Sequence, residues 1–190
     1  MPPAKGARIL ACCILAECEV TVTDTGTLMQ TTSQTPRNAG EQRRLEDALR
    51  LLFEEQIPFN RLLGIRIRSF DPAEARISFS MRPDLVGHFL SGRLHGGVIS
   101  AVLDAAGSFA LMCSIAEKFR SEDALQVMHR FQRMGTIDLR VDYLRPGIGR
   151  EFTAATRTMR LGGRIGSTHS ELVNETGTVI ATAAAAYVVS

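Results

Sequence analysis

The sequence predicts an α+β fold in which an antiparallel β-sheet wraps around one long central helix, with an extra helix before the sheet. The segment GGVISAVLDAAGSFALMCSIAEK, residues 96–118, is apolar nearly all round, which is typical of a helix buried on most of its surface. The last third of the chain consists of strand-like segments bounded by Gly, Pro or the turn NETG. Strands joined in series by short turns form antiparallel sheets, and helices outside that series indicate the α+β class.

The composition is that of an ordinary soluble globular protein. The 190 residues are 45% hydrophobic and 22% charged, and the net charge of +2 is too small to indicate a nucleic-acid partner. No apolar run approaches the ~20 residues that a membrane span needs. A signal peptide in ARILACCILAECEV is disfavoured, because Glu17 and Glu19 follow the short apolar run at once. The cysteines have no zinc-ligand spacing, so we expect no metal site and a reducing, cytoplasmic compartment. They are Cys12, Cys13, Cys18 and Cys113.

Residues 1–40 are predicted to form an extension outside the domain, which we place at 41–190. Within the extension, TVTDTGTLMQTTSQTPRNAG is rich in Thr, Ser, Gln and Gly and has no core-forming period. It is interpreted as a flexible tail or as the result of a start codon assigned too far upstream. A helix then begins near Gly40, because Leu45, Leu49 and Leu52 recur at helical spacing, and Pro58 ends it.

The remaining elements follow from alternation and turn residues. GIRIRSFDPAEARISFSMRP alternates on both sides of the turn DPAE and predicts two paired strands, the first with Ile65 and Ile67 on one face. DLVGHFLSG is predicted to be a loop before the long helix. SEDALQVMHRFQR predicts a shorter amphipathic helix with Ser121 as its N-cap. The final strands are predicted in TIDLRVDYLRP, EFTAATRTMRLGG, RIGSTHSELVNETG and TVIATAAAAYVV.

One carboxylate stands in the long apolar helix and needs an explanation. Helical spacing puts Asp104 on a stripe of small or polar residues with Gly97, Ala101 and Ser108, where another backbone or a ligand can come close. The simpler interpretation is a surface acid on an exposed helix face. Full exposure is disfavoured, because no other charged residue lies between His95 and Glu117. A carboxylate in such a low-dielectric position suits general-base or nucleophilic chemistry.

The start of the same helix carries a second functional signal. Gly96 and Gly97 leave the first backbone N–H groups accessible, and the helix dipole favours negative charge there. These amides are suited to bind a phosphate or an oxyanion. The alternative is a tight turn that merely requires glycine. For His95 the alternative is a capping or core histidine.

The segment LHGGVISAVLDAAG resembles the signature of PaaI-type hotdog-fold acyl-CoA thioesterases, a His-Gly-Gly followed on the same helix by an acid. FNRLLGI, RMGTIDLRVDYLRPG, EFTAATRTMRLGGR and ELVNETGTVIATAAAAYVV are similar, segment by segment, to the YigI-type branch of bacterial medium- and long-chain acyl-CoA thioesterases. The match runs from residue 43 to the end. It implies a hotdog fold that hydrolyses acyl-CoA to free fatty acid and CoA with neither cofactor nor metal.

The resemblance also implies roles for single residues. Asp104 matches the catalytic carboxylate, which acts as general base or as nucleophile. Gly96 matches the amide that polarises the thioester carbonyl, His95 the histidine that fixes the turn, and Thr136 a hydroxyl residue that helps to hold the lytic water. In the family the carboxylate works with the glycine turn of a neighbouring subunit. The resemblance therefore implies a homodimer or homotetramer with a shared site.

One position departs from the family pattern. Many PaaI relatives carry Asn six residues before the motif His, where this chain has Phe89, with His88 beside it. His88 is expected either to replace the amide or to lie at the mouth of the pocket. We assign the remaining substrate contacts to Gly97, Phe89 and, for the CoA phosphates, Arg145. Further candidates are Arg133, Arg160 and Arg164 for the phosphates and Val102, Phe109 and Met112 for the acyl tunnel.

Other functions share these motifs. A hotdog hydratase or dehydratase acting on acyl thioesters would also use an acid and a histidine, but the His-Gly-Gly turn and the strand motifs favour hydrolysis. A non-catalytic acyl-CoA-binding protein would hold the same ligand without turnover. Such a sensor normally carries a DNA-binding helix pair, which residues 1–40 do not suggest. A purely structural hotdog domain would not need Asp104.

Overall fold

The computed structural model describes residues 35–88 and 90–190, and its elements follow the predicted order. The helices are α1 (Ala39–Arg50), α2 (Pro58–Leu63), α3 (Gly96–Lys118) and α4 (Ala124–Arg130). The strands are β1 (Arg66–Ser69), β2 (Ala75–Ser80), β3 (Val86–His88), β4 (Arg93–Leu94), β5 (Gly135–Tyr143), β6 (Glu151–Leu161), β7 (Ile165–Asn174) and β8 (Val179–Val188). The predicted extension lies outside the described residues, apart from its last few positions.

Six of these strands form one antiparallel sheet in the order β1-β2-β6-β7-β8-β5. Strand β8 pairs on both sides, so Ala183 lies opposite Val141 of β5 and Ser170 of β7. The turn NETG joins β7 to β8, and its Gly177 has φ of 78°, the left-handed conformation that favours glycine. The predicted antiparallel sheet is confirmed, and β1 and β5 are its edge strands.

Helix α3 is the central helix and packs against β2 and β5 through β8. The bulky side chains Val102, Leu103 and Phe109 are each 0% exposed, whereas Asp104 and Ser108 are half-buried. The bulky side chains therefore form the packing face of the helix, and the predicted stripe that contains Asp104 is less buried. The expectation that no apolar segment is long enough to cross a membrane was wrong by length and composition alone, since this helix would suffice, but most of it is buried inside the fold. The apolar composition is therefore explained by its place in the core.

The N-terminal helix differs from the prediction at its end. Asn38 caps α1 by accepting the N–H groups of Gly40 and Glu41 at 2.9 Å, and the helix then widens into a π-helical turn over Leu51–Gln56. Pro58 ends this helix as expected, but it also stands at the first position of α2, where proline is tolerated. Helix α2 was not predicted.

Two further predictions need correction. The segment predicted as a loop contains the short hairpin β3–β4, in which Val86 pairs with Leu94. The shorter amphipathic helix forms as expected, but its N-cap is Asp123 rather than Ser121. The Asp123 carboxylate accepts the Gln126 N–H, and the Gln126 side chain accepts the Asp123 N–H, which completes a capping box.

Candidate active site

The carboxylate of Asp104 and the hydroxyl of Thr136 form a hydrogen-bonded pair. Helix α3 presents Asp104 toward edge strand β5, and Thr136 Oγ1 donates to Asp104 Oδ1 at 2.8 Å. Strand pairing fixes Thr136, because it lies opposite Tyr187 of β8. These two side chains are 32 residues apart in the chain, and the fold brings them together. Asp104 can still accept hydrogen bonds through its second carboxylate oxygen.

Tyr187 of strand β8 holds the backbone of Asp104. It is 0% exposed, and its hydroxyl donates to the backbone oxygen of Asp104 at 2.9 Å. Burial and the nearby Asp104 carboxylate raise the pKa of Tyr187, so the hydroxyl stays protonated and can donate. Gly107 makes the contact possible, because a β-carbon there would collide with the Tyr187 hydroxyl. Tyr187 was not predicted from the sequence, although it is the single large side chain next to the alanines of TAAAAYVV.

The His-Gly-Gly turn forms the start of α3. His95 is the N-cap, and its Nδ1 accepts the N–H of Gly97 at 2.9 Å. The His95 carbonyl accepts the N–H groups of Val98 and Ile99 at 3.0 and 3.2 Å. With Nδ1 as acceptor, the imidazole carries a proton on Nε2.

The backbone N–H of Gly96 is the free donor of this turn. Within residues 35–88 and 90–190 it has no hydrogen-bond acceptor, whereas the N–H of Gly97 is bound to His95. A free N–H at the positive end of a helix is suited to an anionic or polarised oxygen. The turn therefore offers the Gly96 amide rather than both glycine amides.

Gly96 and Asp104 of one chain are too far apart to act on the same carbonyl group. They are eight residues apart on one helix, which corresponds to about 12 Å along the axis. A thioester held at the Gly96 amide of one chain is thus out of hydrogen-bonding reach of that chain's own carboxylate. An arrangement that unites the two groups needs a second copy of the chain.

A groove of about 320 Å³ extends from Asp104 along the small-residue face of α3. Ala105 and Ser108 form its floor, and Met112 lies farther along the helix. Among the candidate tunnel residues, Met112 lines this groove, whereas Val102 and Phe109 are buried in the core. Other apolar walls come from the π-helical turn, from α2 and from the segment after α4. They include Phe53, Ile57, Phe59, Phe131 and Met134.

The other predicted substrate contacts are His88, Phe89 and Arg145. His88 ends β3 with its Nδ1 3.1 Å from Ser91 Oγ, and the neighbouring Gly87 packs directly against His95. Phe89 lies outside the described residues. The exposed Arg145 donates to the carbonyl of Val179 at 3.0 Å.

The remaining arginine candidates lie around clefts bordered by the β6–β7 turn, at the opposite end of α3 from Gly96. They are Arg133, Arg160 and Arg164. Across the described part of the chain, no three His, Cys, Asp or Glu side chains are grouped to hold a metal ion.

The comparisons with known proteins place this site in a family. The thioesterase superfamily model matches residues 91–181, a range that holds the His-Gly-Gly turn, Asp104 and Thr136. The crystal structure of a Shewanella oneidensis protein related to that superfamily is 35% identical, with a TM-score of 0.74 over 80% of this chain and 99% of the other. The chain therefore belongs to the thioesterase superfamily and is a hydrolase, and the predicted hotdog fold is confirmed.

The chain is also similar to particular enzymes of the superfamily. The medium/long-chain acyl-CoA thioesterases YigI of Salmonella typhimurium and of Escherichia coli are each 40% identical to it over 147 residues. Each match covers 76% of this chain and 95% of the relative. The resemblance inferred from the sequence motifs is thereby confirmed.

Proposed function

We propose that this protein hydrolyses medium- to long-chain acyl-CoA to a free fatty acid and CoA, in an active site shared between two subunits. The observation that carries the proposal is the Asp104 carboxylate, which is hydrogen-bonded to Thr136 at the head of an apolar groove. The 40% identity to YigI thioesterases supports the choice of acyl-CoA as substrate. The cytoplasmic location stays a prediction.

The proposed chemistry assigns one task to each group. The Gly96 N–H of one subunit donates to the thioester carbonyl oxygen and stabilises the negative charge that develops there. In the other subunit, the Thr136 hydroxyl donates a hydrogen bond to Asp104 of the same chain, so the Thr136 oxygen is available to accept a hydrogen bond from water. That water attacks the carbonyl carbon and transfers a proton to Asp104 as general base. The carbon–sulfur bond then breaks, and the CoA thiolate leaves with the proton that Asp104 took from water, which restores the Asp104 carboxylate.

Edge strand β5 supports a two-subunit site. Among residues 35–88 and 90–190 it pairs on one side only, and it carries exposed apolar side chains, with Ile137 52% and Tyr143 54% exposed. The next residue, Leu144, is 51% exposed. A second copy that covers this face with its own α3 antiparallel would bring the partner's glycine turn toward Asp104. We therefore propose a homodimer as the smallest active form, and a homotetramer retains the same pairs.

The groove supports a long acyl chain as the substrate. Met112 lies eight residues beyond Asp104, about 12 Å farther along the helix axis. The walls between these residues are mostly apolar, so an extended hydrocarbon chain is buried there without unpaired polar groups. The Asp104 end of the groove then holds the thioester.

The proposal is tested by thiol release from a series of straight-chain acyl-CoA substrates. We expect Asp104→Asn to lower kcat by about 10²–10⁴-fold, the range for loss of a general base. Asp47→Asn, which changes an exposed carboxylate on α1, is the matched control and keeps wild-type activity. Undiminished hydrolysis by Asp104→Asn removes the catalytic assignment.

Binding of acyl-CoA by the wild type without thiol release would instead indicate a sensor. In single-turnover reactions in ¹⁸O-water, label in Asp104 indicates a nucleophile whose acyl anhydride is hydrolysed at the Asp104 carbon.

Subunit mixing tests the shared site. Asp104→Asn and Gly96→Pro are each expected to keep at most about 1% of wild-type kcat, because one loses the base and the other the amide donor. In a mixed dimer, one of the two sites combines the intact Gly96 turn of one chain with the intact Asp104 of the other. Random mixing of equal amounts then restores about a quarter of wild-type activity. No recovery in confirmed mixed dimers rules out a site shared in this way.

A further inference from the structure

A further cavity, here called the far cleft, lies beyond the acyl groove on the same face of α3. The groove residues Asp104, Ser108 and Met112 are four residues apart along the helix. Ile115 and Phe119 continue that face at spacings of three and four, and both line the far cleft, which has a volume of about 280 Å³. Ile115 is about 4.5 Å beyond Met112 along the helix axis. The groove and the far cleft are therefore consecutive on one face of α3.

The sheet places the two cavities in the same order. Tyr187 lines the groove, and Val189, two residues farther along the chain, lines the far cleft. Residues two apart in an extended segment point to the same face. Leu161 adds a further apolar wall to the far cleft, whereas its cationic residues Lys118 and Arg133 are exposed and can keep their charges in water. The far cleft can therefore bury hydrocarbon.

The short turn Phe131–Arg133 lies between the two cavities. Phe131 lines the groove and is only 7% exposed. Arg130 before it and Arg133 after it line the far cleft. An acyl chain that follows α3 past Met112 therefore meets the Phe131 ring before it reaches the far cleft.

The backbone that carries this ring is held on both sides. The capping box starts α4 just before the turn, and the Met134 N–H donates to the Phe131 carbonyl at 3.1 Å. Arg130 Nε donates to Glu122 at 2.7 Å. The Arg130 guanidinium also lies 3.5 Å from the centre of the Phe119 ring, a cation–π contact with α3. These contacts fix the turn against the helix that forms the floor of both cavities.

We propose that Phe131 is the end wall of the acyl groove and sets the longest acyl chain that the enzyme hydrolyses efficiently. The inference rests on the proposed function, in which the acyl chain runs along α3 from Asp104 toward Met112. Removal of the Phe131 ring joins the groove to the far cleft, where the additional methylene groups of a longer chain become buried. Each buried methylene raises affinity about fourfold.

The first test compares kcat/KM for stearoyl-CoA and dodecanoyl-CoA, below the concentrations at which they form micelles. In Phe131→Ala we expect the stearoyl-to-dodecanoyl ratio to rise about tenfold or more over the wild type, because two additional buried methylenes suffice for that. Val127→Ala is the matched control, since Val127 is 0% exposed on the neighbouring α4 but lines neither cavity. This control keeps the wild-type ratio. An unchanged ratio in Phe131→Ala overturns the proposal, and so does an equal rise in Val127→Ala.

The second test does not depend on turnover. The probes are dodecyl-CoA and octadecyl-CoA, thioethers that lack the carbonyl group and cannot be hydrolysed, and calorimetry measures their binding to the full chain. We expect Phe131→Ala to raise the affinity for octadecyl-CoA relative to dodecyl-CoA about tenfold or more.

Two outcomes keep this test decisive. If Phe131→Ala does not fold, Phe131→Leu shortens the same side chain and is expected to raise the relative affinity severalfold. Equal relative affinities in the wild type and a folded variant overturn the proposal. If the wild type releases no thiol from any acyl-CoA but the relative affinity rises as expected, the proposed function fails while the role of Phe131 as the end wall is supported.

Discussion

Replacing Gly96 with proline removes the proposed oxyanion donor and leaves the start of α3 intact. Gly96 is the first helical residue, where proline is favoured because the N–H at that position has no partner within the helix. His95 already has φ of −67° and ψ of 136°, the extended conformation that a residue before proline prefers. A β-carbon at position 96 would lie 3.6 Å from the Tyr143 ring, which is an ordinary contact. The substitution therefore deletes one N–H at little structural cost.

We expect Gly96→Pro to lower kcat by about 10²–10³-fold, which corresponds to ~3–4 kcal/mol of lost transition-state stabilisation. The estimate follows because the Gly96 N–H has no protein acceptor in the described part of the chain and is free to bind the substrate oxygen. Gly96→Ala is the control, since it adds the same β-carbon and keeps the N–H. Its activity should stay close to that of the wild type.

The assay is steady-state thiol release at saturating decanoyl-CoA, with the oligomeric state of each variant checked by sedimentation. The comparison that matters is between Gly96→Pro and Gly96→Ala, because it cancels the effect of the added carbon. Equal kcat values for these two variants in the same oligomeric state would falsify the reasoning from the free amide. A loss shared by both variants would point to crowding against Tyr143 instead.

Three further outcomes follow from the site. Thr136→Val removes the hydroxyl that donates to Asp104, and steady-state kinetics should give a kcat lowered about tenfold or more with KM little changed. Gly107→Ala forces a β-carbon against the Tyr187 hydroxyl and should destabilise the fold by about 1–3 kcal/mol in urea unfolding; unchanged stability would contradict the close packing. Ser108→Leu fills the floor of the groove and should shift the best substrate in a chain-length series toward shorter acyl groups, and an unchanged profile would place the acyl chain elsewhere.

The elements that were predicted correctly have a signal within a few residues of sequence. The near absence of charged residues indicates the helix at 96–118. Runs of residues with high β-propensity between turns indicate the strands at 135–188. The π-helical turn and α2 have no such signal, because Pro58 indicates only that a helix stops. The cap of α4 was missed because both Ser121 and Asp123 are good capping residues, and only the geometry decides between them.

The candidate site was predictable to a smaller extent. Helical spacing placed Asp104 on the slim face of its helix, and the resemblance to a family supplied Thr136 as its neighbour. The contacts of the two tyrosines could not be predicted from the sequence. Tyr143 lies 47 residues after Gly96, and Tyr187 lies 83 residues after Asp104. Such contacts depend on strand order and register, which local patterns do not determine.

The π-helical turn means that the N-terminal helix holds one residue more than α geometry accommodates. The N–H of Ile57 bonds to the carbonyl five residues earlier, at Leu52, over 3.0 Å. Deleting one residue from Leu51–Gln56 would remove the extra residue and let the helix close into regular α form, with the residues before it kept on the same face. Leu45 and Leu49 would stay enclosed, whereas Phe53, which lies in the shortened turn, would shift and the acyl chain of the substrate would lose its wall there. Deletion of one residue here is therefore expected to leave Asp104 hydrogen-bonded to Thr136 but to abolish the preference between long and short acyl chains.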